Sequence, residues 1–223
     1  MTEPRAIAMA AVAEEGKPLY RGVSHQYAFF VVLGAVPTLV AFAPSFRASV
    51  VAAVYGAGLL AMLGCSTLYH RARVSPRANK WLERMDHSAI FLCIAGSYTP
   101  FCLLLRSGPL LLSVVWAGAA VGVLRGLFWV DAPRPLSVAL YLLVGWSIVP
   151  FIPELYQVIG LPALLLVFAG GAFYSAGAMV FALKRPDPAP AVFGFHEVFH
   201  AFTIVASLCL FIAVVVAVKQ LTG

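Results

Sequence analysis

The reading of the fold turns on the last apolar stretch, His196-Glu197-Val198-Phe199-His200 followed by AFTIVASLCLFIAVVVAV to Val218. From Ala201 to Val218 it holds no charged residue. A segment of about 20 mostly apolar residues is long enough to cross a bilayer as a helix. Its first turn carries two histidines four residues apart. On a helix these two imidazoles share one face, about 5–6 Å apart at Cβ, a spacing that suits two ligands of one zinc ion. Ionisable groups within membrane segments are costly and mark function, so the pair needs an occupant.

Outward from this stretch the composition stays the same. Of 223 residues, 62% are hydrophobic and 11% are charged. So few charges cannot cover a soluble domain of this length, and the bilayer is the expected solvent. Seven apolar segments are expected to span it, at 23–43, 48–70, 85–105, 108–129, 136–153, 160–183 and 196–218, forming an all-α seven-transmembrane helix bundle. Residues 1–20 are expected to form a cytoplasmic N-terminal tail, and residues 21–223 the transmembrane domain. No cleaved signal is expected: residues 6–13 are short and weakly hydrophobic, and Glu14 and Glu15 follow them. The net charge of +6 is not a nucleic-acid signature. Counted on seven spans, twelve Lys and Arg fall on the side of the N-terminus and three on the other, which predicts N-terminus cytoplasmic and C-terminus outside.

Several polar residues interrupt the apolar runs. His25 sits at the edge of the first segment and reads as an interfacial residue. Ser66 and His70 are four apart at the end of the second, so hydroxyl and imidazole share a face. The Arg- and Lys-rich residues 71–84 read as a loop against anionic lipid. Asp86 stands at the start of the third segment, level with His70. His87 lies about 100° around that helix and falls outside the expected ligand set. Gly118, Gly122 and Gly126 form a ridge of small residues that suits dimerisation or close packing within the bundle, the second being the expectation. Cys65, Cys93, Cys102 and Cys209 form no C-x-x-C pair and read as free thiols.

On this topology His70, Asp86, His196 and His200 meet at one depth, although more than a hundred residues separate them in sequence. Three imidazoles with one open position describe a catalytic zinc centre. Asp86 is then the candidate orienter or base for a water activated there, and Ser66 could hydrogen-bond that water or a substrate carbonyl. His196-Glu197-x-x-His200 also matches the zincin pattern, in which the Glu is the general base. No Asp, Glu or His follows His200, so a third ligand must come from upstream, and His70 is the candidate. Glu197 is expected to face the interface or a basic loop.

Ser66-x-x-x-His70, then Met85-Asp86-His87-Ser88 with Ala95-Gly96-Ser97-Tyr98-Thr99-Pro100, then His196-x-x-x-His200 resemble the bacterial hemolysin III family. That family is similar to the progestin and adipoQ receptors (PAQR) and, more widely, to alkaline ceramidases. The resemblance covers about residues 20–218. It implies a multi-pass protein of the bacterial inner membrane, with zinc on His70, His196 and His200 and with Asp86 and Ser66 beside the metal. It also implies a hydrolase of lipid amides or esters at the cytoplasmic leaflet, with membrane lipid as substrate or ligand. Alternatives are a non-enzymatic regulator or sensor of membrane lipid with structural zinc, and a pore-forming cytolysin. Where the family carries an acidic, Asn-containing motif, this chain has Tyr20-Arg21-Gly22-Val23-Ser24-His25, similar only at its Ser/His end.

Overall fold

A computed structural model describes residues 18–222. Of the expected N-terminal tail, residues 1–17 lie outside the described residues. Within residues 18–20, the Leu19 and Tyr20 amides donate to the Ala191 and Val192 carbonyls. The helices are α1 (Val23–Ala41), α2 (Phe46–Arg71), α3 (Pro76–Cys102), α4 (Gly108–Phe128), α5 (Arg134–Gly145), α6 (Ile152–Leu183) and α7 (Phe195–Gln220). A short 3₁₀ turn, Val149–Phe151, joins α5 to α6. Local signals explain the starts. Ser45 and Ser75 accept hydrogen bonds from Ala48 N and Ala78 N at the heads of α2 and α3. Pro76 occupies the first turn of α3, where its missing N–H costs nothing.

The seven-transmembrane bundle expected from the sequence does not form. Among the described residues, five stretches are long and apolar enough to cross a membrane: Val23–Ala41, Phe46–Arg71, Gly108–Phe128, Arg134–Leu183 and Phe195–Gln220. The segments expected at 136–153 and 160–183 fall within one apolar stretch of 50 residues. Its first helix, α5, has 12 residues, about 18 Å against a hydrocarbon core of about 30 Å. The stretch bends again inside α6 at Gly160, where φ is 73°. α3 is the sixth long helix. It begins at Pro76, so residues 76–84 are helical and not a loop, and Arg77, Lys80, Glu83 and Arg84 make its first turns polar. The protein is therefore an all-helical, multi-span membrane protein with five to six long apolar helices. The N-in, C-out orientation was counted on seven crossings and loses that basis. Large side chains such as Tyr27, Phe42, Phe46, Phe128 and Leu143 are exposed on the surface, as suits a protein solvated by lipid.

α2 packs on α3, α3 on α4, α1 on α2 and α6 on α7, while α7 also touches α1, α2 and α3. Gly58 lets α2 approach the α3 backbone: a Cβ there would stand 2.6 Å from the Leu92 carbonyl oxygen. About two turns along α2 from this crossing, Ser66 comes level with Asp86 on the antiparallel α3. The Gly118, Gly122 and Gly126 ridge packs within the molecule, against Val144, the Phe91 ring and Ser88 respectively. The hydroxyls of Ser97 and Thr99 donate to Cys93 O and Ala95 O one turn back, which satisfies them inside the bilayer. Tyr98 reaches from α3 to α5 to donate to Gly145 O at 2.6 Å, and its oxygen accepts from Ile148 N, which ties down the α5–α6 bend. On the surface, Lys80 donates to Asp131 at 2.6 Å, and that carboxylate holds the ammonium above its ordinary pKa.

Candidate metal centre

The first turns of α7 carry His196 and His200 on one face, and the last turn of α2 carries His70. Their ring nitrogens lie within 4.8 Å of one another. His196 Nε2 and His70 Nε2 face each other at 3.1 Å. Two nitrogens bound tetrahedrally to one zinc at about 2.0–2.1 Å stand about 3.3 Å apart, so the spacing fits a shared ion. His200 is 1% exposed, and its Nδ1 has no hydrogen-bond partner among the described residues. A buried polar atom left unpaired costs about 1–3 kcal/mol, which a bound cation would relieve. The donor set and its spacing therefore fit a divalent metal. Zinc is the ion such imidazole sets commonly take.

Asp86 and Ser66 lie beside this cluster. Both are buried, face each other and line the same cavity as His196 and His200. The cavity, about 150 Å³, follows α3 from Asp86 to Phe101, about 22 Å at 1.5 Å per residue. Its far walls are apolar and include Trp146, Phe168 and Leu210. His87 lines it too, so Asp86 and His87 do share a cavity, but His87 is not part of the imidazole cluster. All four cysteines are free, and none joins the cluster.

Two placements depart from expectation. His25 is not interfacial: it is 3% exposed, and its ring stacks on His200 with centroids 3.7 Å apart and planes 10° from parallel. Its Nδ1 lies 2.9 Å from Ser66 Oγ. Glu197 is not at an open interface either. It is 1% exposed, accepts from Arg21 Nε at 2.6 Å and accepts from Gly194 N at 2.8 Å. Its partner is basic, as expected, but the pair is folded in. Both placements follow from the turn at Gly22, whose φ of 75° lets the chain fold in against the site between Arg21 and His25. A Cβ on Gly22 would stand 2.5 Å from His70 Cβ.

Fold and site together define a class: a multi-pass helical membrane protein with a three-histidine candidate metal centre at one end of an internal apolar cavity. The profile of the Haemolysin-III related family matches residues 14–211, and the chain belongs to that family. It is 35% identical to Hemolysin-3 of Bacillus cereus over 164 residues, 72% of each chain. It is 29% identical to the Hemolysin-3 homolog of Bacillus subtilis (strain 168) over 212 residues, 92% of this chain and 95% of the relative. The human Monocyte to macrophage differentiation factor is 26% identical over 196 residues, 82% of this chain and 77% of that protein. The protein is a multi-pass protein of the bacterial inner membrane.

Proposed function

We propose that this protein is a zinc-dependent hydrolase of lipid amides or esters, akin to the PAQR proteins and alkaline ceramidases. One observation supports this above the others. The imidazole cluster and the Asp86–Ser66 pair meet at one end of a cavity whose remaining length is mostly apolar. His70, His196 and His200 would hold the ion, which when bound supplies Lewis acidity and makes water acidic near neutral pH. Asp86 takes a proton from the attacking water and returns it to the leaving amine or alkoxide. Ser66 holds the carboxylate in place for both transfers. The acyl chain lies along α3 in the apolar length, which keeps bulk water from the scissile bond. The head group stays at the leaflet beside the Arg-rich start of α3.

The test is fatty acid release from a lipid amide and a lipid ester by the purified protein in nanodiscs. Asp86→Asn is expected to reduce release at least 100-fold, the usual scale for loss of a general base, and His196→Ala to abolish it. Release that survives His196→Ala would rule the mechanism out. Bound metal without turnover of either lipid would favour the regulator with structural zinc.

A further inference from the structure

One turn of chain touches the site at four points. Arg21 pairs with Glu197, between the two α7 histidines. Gly22 packs against His70. His25 stacks on His200 and meets Ser66. The rest of α1 is loosely attached: His25 and Val36 are the only buried side chains in its 19 residues. His25 is therefore not buried because its helix is. It is drawn in at this one point.

Packing alone does not explain a histidine there. A phenylalanine would stack on His200 equally well. It would also avoid burying Nε2, which has no partner among the described residues. An unpaired buried nitrogen costs about 1–3 kcal/mol. What histidine adds is the Nδ1 contact with Ser66. We propose that His25 is a positioning residue of the metal centre, holding the ring of His200 by stacking and the hydroxyl of Ser66 by a hydrogen bond. It thus ties the imidazole cluster on one side to the Asp86–Ser66 pair on the other. Metal-ligating histidines are commonly oriented by a hydrogen bond to their second nitrogen. At His200 the stacked ring of His25 does the orienting. The inference rests on the metal reading above.

The experiment uses the full chain in nanodiscs with any affinity tag removed. Co²⁺ affinity is measured by chelator competition, and ligand geometry is read from the visible ligand-field absorption. His25→Ala is expected to weaken Co²⁺ binding about 10- to 100-fold, the range for loss of an outer-shell support, and to shift the absorption bands. His25→Phe, which restores only the stack, and His25→Asn, which restores only a hydrogen-bonding group, are each expected to recover part of the loss. Wild-type affinity and an unchanged spectrum in His25→Ala would overturn the proposal. So would failure of both conservative variants to recover anything, since that marks a merely structural residue. Should His25→Ala not fold, His25→Phe decides: wild-type affinity and spectrum there would overturn the role assigned to Ser66, and weaker binding with shifted bands would support it. A wild-type protein that binds no Co²⁺ would overturn the metal reading itself, and this inference with it.

Discussion

Glu197 makes two bonds that a solvated carboxylate would not need. It closes the first turn of α7 by accepting from Gly194 N, and it holds Arg21 at 2.6 Å while 1% exposed. Removing one partner of a buried ion pair leaves the other charge uncompensated, at about 3 kcal/mol or more. Arg21 keeps 19% of its side-chain surface, so water reduces that figure on its side. Arg21→Ala, which strands the carboxylate, is expected to lower the thermal unfolding midpoint more than Glu197→Gln, which leaves a neutral amide bonded to Gly194. Equal or reversed effects would contradict the pairing. At this scale the histidine pair was legible because a four-residue spacing is read directly from the helix period. His70 was legible because segment order put it at the same end. His25 and Arg21 were not. Nothing in Tyr20 to His25 shows that Gly22 turns the chain inward, and a histidine near a membrane boundary has the same local sequence whether it meets headgroups or a metal cluster.

Among the elements, α4 shows how small side chains set the site. Phe91, 0% exposed, lies over Gly122, and Ser88 over Gly126. The glycines hold α4 against the face of α3 just beyond Asp86. Gly122→Leu would drive a side chain into the Phe91 ring, an overpacking cost of about 1–3 kcal/mol. The expected result is a lower unfolding midpoint with metal still bound. A neutral result would mean that α3 and α4 are looser than drawn. The ridge was visible in the sequence, since glycines at intervals of four share a face. The lengths of α3 and α5 were not. The charges of Arg77 to Arg84 read as a loop, yet Ser75 and Pro76 together start a helix there. Pro150 and Pro153 lie at the end of the segment expected at 136–153. They stand instead in the first turns of the 3₁₀ segment and of α6, where proline is accommodated.

For the molecule as a whole, composition was enough to establish a helical membrane protein, because no other solvent suits so apolar a chain. It was not enough to count crossings. Hydropathy registers how apolar a stretch is, and it is blind to a bend such as the one at Gly160 or to a helix as short as α5. The convergence at one end survives that miscount, since it depends on α2, α3 and α7 meeting there and not on the number of spans. The central claim is that imidazoles from α2 and α7, far apart in sequence, share one cation. It is tested most directly by elemental analysis of the purified wild-type protein beside His70→Ala, both desalted from zinc-replete growth. The account predicts about one zinc per chain in the wild type and little or none in the variant. Wild-type protein without metal, or equal metal in both, would contradict it.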